Sequence, residues 1–286
     1  MAEIKIGTSG WSYKDWEGVF YPAGEDRKLA YYSRYFTTVE VDSSFYAYPS
    51  KATVASWLRN SPPSFVFSAK LPRLITHDKS LDISKGVEAD FSKFLYLVAP
   101  MLRAKKLGPV LIQLPPSFTF DEADRLDAFL ATLPKEEMQF AVEFRHKSWI
   151  REESWNLLHR HNVANTVVDE PLLPPETVVT ADFSFIRWHG HGTRPWYNYR
   201  YDKSELEPWA ERLKEITDKT EKTSYGYFNN HYGGRAVGNA LQMMEIMRVA
   251  SPEQSKAASL ITARLDGKPP PMRADSDQQS LDTFGS

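Results

Sequence analysis

The chain has 286 residues, a formal net charge of −2 and no cysteine. That balance argues against non-specific coating of nucleic acid, which needs a broad excess of cations, and the missing thiols exclude disulfides, thiolate catalysis, iron–sulfur clusters and cysteine-bound zinc. Apolar residues make up 42%, enough for a sizeable core, and neither a secretion signal nor a run near the ~20 apolar residues of a membrane span stands out; a soluble cytoplasmic protein without a membrane partner is expected.

Taken in order, short runs of β-formers alternate with helical patterns, the signature of parallel βα units. Strands are expected at 4–8, 38–42, 65–70, 110–114, 140–144, 164–169, 183–189 and 224–229. Helices are expected near 28–36, 51–59, 87–106, 121–133, 152–161, 203–217 and 236–249. Between the sixth and seventh strands, Pro171, Pro174 and Pro175 exclude a long helix. The series favours a (β/α)8 TIM-type barrel, α/β in class, as a single domain over 1–250. Residues 251–265 read as a helical extension and 266–286 as a Pro-tethered flexible tail.

In such a barrel the chemistry gathers where the strands end in the C-terminal direction. The polar residues expected there are Thr8, Ser9, Glu40, Asp42, Lys70, Gln113, Glu143, Arg145, Asp169, Arg187, His189, Asn229, Asn230 and His231. Glu40, Gln113, Glu143 and Arg187 interrupt otherwise apolar or aromatic runs, where a polar group is costly unless paired. Either they serve a ligand, or Glu40 or Glu143 pairs with Arg145 or Arg187 as a buried structural network. The stretch 183–204 adds Trp188, His191, Arg194, Trp196, Tyr197, Tyr199, Arg200 and Lys203. Interleaved cations and flat aromatic faces suit phosphates and stacked bases or sugar rings; the alternative is an aromatic loop folded over the mouth with its cations in water.

Several blocks carry a resemblance: Ile6-Gly-Thr-Ser-Gly-Trp-Ser-Tyr, Val39-Glu-Val-Asp-Ser-Ser-Phe-Tyr, Lys70 with Arg73-Leu-Ile-Thr-His, Gln113-Leu-Pro-Pro-Ser-Phe, Glu143-Phe-Arg-His-Lys-Ser-Trp, Arg187-Trp-His-Gly and Tyr227-Phe-Asn-Asn-His. Together, over about residues 4–250, the chain resembles the YecE-like family, domain of unknown function 72. The resemblance implies a TIM-type barrel similar to the xylose isomerase and endonuclease IV group, with no settled reaction and with DNA binding suggested only by analogy to endonuclease IV. Where that family usually has Asn after Glu-Val, this chain has Asp42, which adds a charge at the mouth.

Three chemistries follow from these residues. Glu40, Glu143, Asp169 and His189 are the candidate catalytic set, either as a phosphodiesterase-like site or with the two Glu as the carboxylate pair of a sugar or sugar-phosphate enzyme. Lys70, Gln113, Arg145, Arg187, Trp188, Arg194, Asn229 and Asn230 are the candidate ligand set. A divalent metal is the cofactor considered, though no metal motif is present and no metal ligands are assigned. The glycine-rich opening of the last barrel helix, from Gly233, offers backbone donors for a phosphate or serves as a simple turn.

The tail carries Gln278, Leu281 and Phe284 at offsets of zero, three and six. This is similar to the peptide by which repair proteins dock on a sliding clamp of the PCNA type, with Gly285 replacing the usual second aromatic. The leading expectation is a barrel that binds nucleic acid (DNA or RNA) or a phosphate ligand, in DNA repair or maintenance, recruited by such a clamp. A non-enzymatic adaptor that works only through the tail is the other alternative.

Overall fold

A computed structural model describes residues 2–193 and 195–268. Eight strands, β1 (Ile4–Thr8), β2 (Thr38–Val41), β3 (Val66–Lys70), β4 (Leu107–Gln113), β5 (Phe140–Glu143), β6 (Ala164–Asp169), β7 (Ser184–Trp188) and β8 (Ser224–Phe228), form one sheet. Every ladder is parallel and the order runs β1-β8-β7-β6-β5-β4-β3-β2. The connections carry α1 (Lys28–Tyr32), α2 (Ser43–Tyr46), α3 (Lys51–Arg59), α4 (Val87–Arg103), α5 (Ala123–Ala131), α6 (Glu152–Arg160), α7 (Lys203–Asp218) and α8 (Arg235–Ile246), followed by α9 (Pro252–Leu265). This is the expected (β/α)8 barrel. The proline-rich segment after β6 forms no helix, as its ring constraints require.

The sheet closes on itself at β1 and β2, where it has a bridge between Ser9 and Glu40 instead of a full ladder. Tyr32 of α1 fills the gap. Its hydroxyl accepts from the Thr8 amide at 3.0 Å and lies 3.2 Å from the Thr38 carbonyl, so it stands in for a missing strand-to-strand bond. Gly7 allows the close approach: a Cβ there would lie 2.3 Å from the Thr38 carbonyl oxygen.

Side chains alternate between two cores. Leu111, Ala141, Ala164, Phe183, Phe185, Tyr225 and Tyr227 fill the barrel interior. Tyr227 bonds through its hydroxyl to Thr38 and Ser68 at 2.7 and 2.8 Å. A larger aromatic and aliphatic layer lies between strands and helices, where Trp188 stacks on Phe228 and meets Trp209 edge-on. β3 and β7 each start one residue later than expected, at Val66 and Ser184, and one start moves further. β4 begins at Leu107, three residues before the expected 110, because a register shift opposite Phe67 and Ala69 accommodates Gly108 and Pro109, the position at which a sheet tolerates a proline.

Candidate functional site

Above Tyr227 the interior turns polar. Arg187 enters from β7 and is 1% exposed, between Glu40 of β2 and Glu143 of β5, both fully buried. One guanidinium nitrogen donates to Glu143 at 2.7 Å and the other to Glu40 at 2.7 Å, while the Gln113 carbonyl lies 3.4 Å away. Ser9 also donates to Glu40. Burial opposes the charge on Arg187, but Glu143 and Glu40 outweigh it and hold the guanidinium protonated. Burial likewise opposes ionisation of Glu143, yet Arg145 and Arg187 keep it well below the usual carboxylate range.

Arg145 forms the second cation of this network, bonded to Glu143 and to Glu170. Its third nitrogen lies 3.0 Å from Nε2 of His189. Burial, then Arg187 and Arg145, push His189 down to about 3, so the ring is neutral near pH 7. Nε2 thus lies among the two guanidinium groups and a Glu143 oxygen at 3.8 Å. On its other side Nδ1 lies 2.8 Å from the Asn229 amide nitrogen.

Lys70 completes the cations. Its ammonium lies 3.2 Å from Asp42 and over the Phe45 ring at 4.1 Å. Burial, only partly offset by Asp42, lowers its pKa. Burial also opposes ionisation of Asp42, but Lys70 and Arg187 together hold its carboxyl below the usual range. Lys70, Arg145, Arg187, Gln113, His189 and Asn229 face a cavity of about 290 Å3 whose rim includes Tyr46, Leu172, Trp196, Tyr197 and His231.

The expected site residues thus divide. Glu40, Lys70, Gln113, Glu143, Arg145, Arg187, His189 and Asn229 converge, as one opening at the strand ends requires. Trp188 points into the helix-facing core and is fully buried, so it does not reach the cavity. Asn230 bonds instead to the Tyr199 carbonyl and to Asn239. Asp169 lies one residue out of phase: Tyr201 donates to it at 2.6 Å and His191 lies at 2.9 Å, so it anchors the loop after β7. Glu170 takes the inward position. Strand alternation counted from Ala164 through Thr166 and Val168 points to it. Arg194, Gln278, Leu281 and Phe284 lie outside the described residues.

The loop's chemistry is also more internal than expected. Arg200 pairs with Asp266 and Lys203 with Glu207. The ring faces of Tyr13, His231 and Tyr232 stack on one another. At the start of α8 the Gly233 amide donates to Asp15 at 2.7 Å, so a carboxylate of the chain itself occupies that donor. Among the described residues no group of three or more His, Asp or Glu is arranged to hold a metal ion.

This arrangement sits on a barrel shared with known proteins. The family described as protein of unknown function DUF72 matches residues 5–261. The chain belongs to the DUF72 family. It is 29% identical to the UPF0759 protein YunF of Bacillus subtilis, over 86% of this chain and 95% of that one. It is 28% identical to the UPF0759 protein YecE of Escherichia coli, over 65% and 74%. A solved DUF72 protein from Thermotoga maritima superposes with a TM-score of 0.75 at 32% identity, covering 86% of this chain and 99% of that one. Another from Enterococcus faecalis gives 0.73 at 23% identity, covering 87% and 99%, a likeness of fold. No described helix is long and apolar enough to cross a membrane.

Proposed function

We propose that this DUF72 barrel binds a phosphorylated small molecule, its phosphate received by Lys70, Arg145, Arg187 and Asn229. One observation carries the reading: among the described residues, three cations face a single cavity of about 290 Å3 and the only carboxylate on its lining is Asp42. Glu40, Glu143 and Glu170, which neutralise and orient the guanidinium groups, are buried off that lining. Cations fixed in advance by partners behind them lose little entropy on meeting an anion, and in a partly dry cavity their attraction is screened less. The volume accepts a phosphate with a sugar. A nucleic acid would have to enter as a single nucleotide.

The same geometry weighs against the Glu pair as acid and base of a sugar hydrolase. Glu143 accepts from two guanidinium groups, Arg145 and Arg187, which hold it well below the usual carboxylate range, whereas a general acid has to keep its proton near neutral pH. Recruitment to a sliding clamp is a separate proposal, tested by whether a 272–286 peptide binds a clamp and loses that binding on Phe284→Ala.

Calorimetric titration with ribose phosphate and with ribose tests the main reading. Ribose phosphate is expected to bind at least about tenfold more tightly, and Lys70→Met to weaken it by about tenfold or more, the worth of one charge-assisted hydrogen bond. Equal affinity for the two sugars would contradict the proposal.

A further inference from the structure

A second and larger cavity, of about 660 Å3, opens beside the first over the junction of β1 and β2. The positive φ of Gly10, +79°, swings the chain off β1 so that Trp11 and Ser12 form one wall; a Cβ at Gly10 would strike the Tyr13 hydroxyl at 2.6 Å. Trp57 of α3 forms the opposite wall, with Asn60 beside it. The two indoles meet edge to face at 5.8 Å and 82° and both rest on Phe67, Trp57 stacked and Trp11 edge-on, so together they form an aromatic corner. Both remain partly exposed above the core they pack against, and a concavity lined by aromatic faces with a few polar groups is the usual form of a small-molecule site.

The two cavities share Asp42 and Tyr46. Asp42 is charged, beside Lys70, and half-way between the compartments, so it repels a phosphate but accepts from a hydroxyl. Resting on the phosphate reading above, we infer that one ligand spans both cavities. Its phosphate lies at Lys70 and Arg145, its hydroxyl-bearing unit beside Asp42, and a further flat ring in the Trp11 and Trp57 corner. The ligand class is therefore a ring-bearing glycosyl or nucleosyl phosphate, larger than a lone sugar phosphate. Trp11 and Trp57 offer stacking surface, and Asn60 offers a polar contact at the edge.

The test compares ribose phosphate, AMP, maltose phosphate and adenosine on the whole protein, wild type and Ser12→Trp. Ser12 is exposed and lines only the larger cavity, so the new side chain fills the groove without disturbing a core. AMP or maltose phosphate is expected to bind at least about tenfold more tightly than ribose phosphate; which of the two gains identifies the ring. Ser12→Trp should remove that advantage and leave ribose phosphate binding as it was. Ribose phosphate binding with no gain from either larger ligand, or an equal loss for all ligands in Ser12→Trp, would overturn the inference alone. If ribose phosphate fails to bind, the phosphate reading and the spanning ligand fall together, whatever adenosine does.

Discussion

Arg187 is the residue on which the polar interior depends. It supplies the positive charge between Glu40 and Glu143, so Arg187→Met strands two buried carboxylates. Removing one partner of a buried ion network costs about 3–5 kcal/mol, and chemical denaturation should register a loss of that size. A loss under about 1 kcal/mol would mean that water reaches the network. At this scale much was legible in the sequence: a charged residue inside Phe-Ile-Arg-Trp or Ala-Val-Glu-Phe has to be paired, and both were. What the reading missed came from treating strand ends as positions instead of phases. Trp188 and Asp169 sit at the right height but on the outward side, while Glu170 continues the inward series. The occupation of the Gly233 amide by Asp15 joins residues 218 apart in sequence and leaves no local trace.

Among the elements, the junction of β1 and β2 is held by the single bridge between Ser9 and Glu40 in place of a ladder. Tyr32→Phe removes the acceptor of the buried Thr8 amide, and an unmet buried donor costs about 1–3 kcal/mol. Faster hydrogen exchange at Thr8, with slower exchange retained in β4 and β5, is the expected signature; unchanged protection would show that the strands close without the tyrosine. Gly7→Ala should destabilise the same junction, because its Cβ would collide with the Thr38 carbonyl. A stability equal to or above wild type in urea would contradict that packing. Periodicity and turn residues located every strand and every barrel helix except the single turn α2, since the parallel order needs only local alternation to be seen. The bulge at Gly108 and Pro109 was invisible because its cause is the register of a neighbouring strand.

For the molecule as a whole, the network makes stability depend on pH with a definite sign. His189 binds a proton near pH 6.5 when unfolded and only near about 3 when folded. Between those values the unfolded chain holds more protons, so its contribution is complete above pH 6.5 and is lost as pH falls, by about 1.4 kcal/mol per unit for a single site. Burial lowers His77 to about 4, which acts in the same direction. Glu143, held low in the fold, adds its own loss at more acid pH. His189→Gln should flatten the stability profile between pH 6.5 and 4.5, and an unchanged slope would remove His189 from the account. In the function proposed above, the barrel's cations converge on one anion site. Diffraction from crystals grown with ribose phosphate tests it most directly: the phosphate should lie within hydrogen-bond reach of the Lys70 ammonium and the Arg145 guanidinium, and a phosphate seated instead at the Gly233 and Gly234 turn, or outside the barrel mouth, would contradict it.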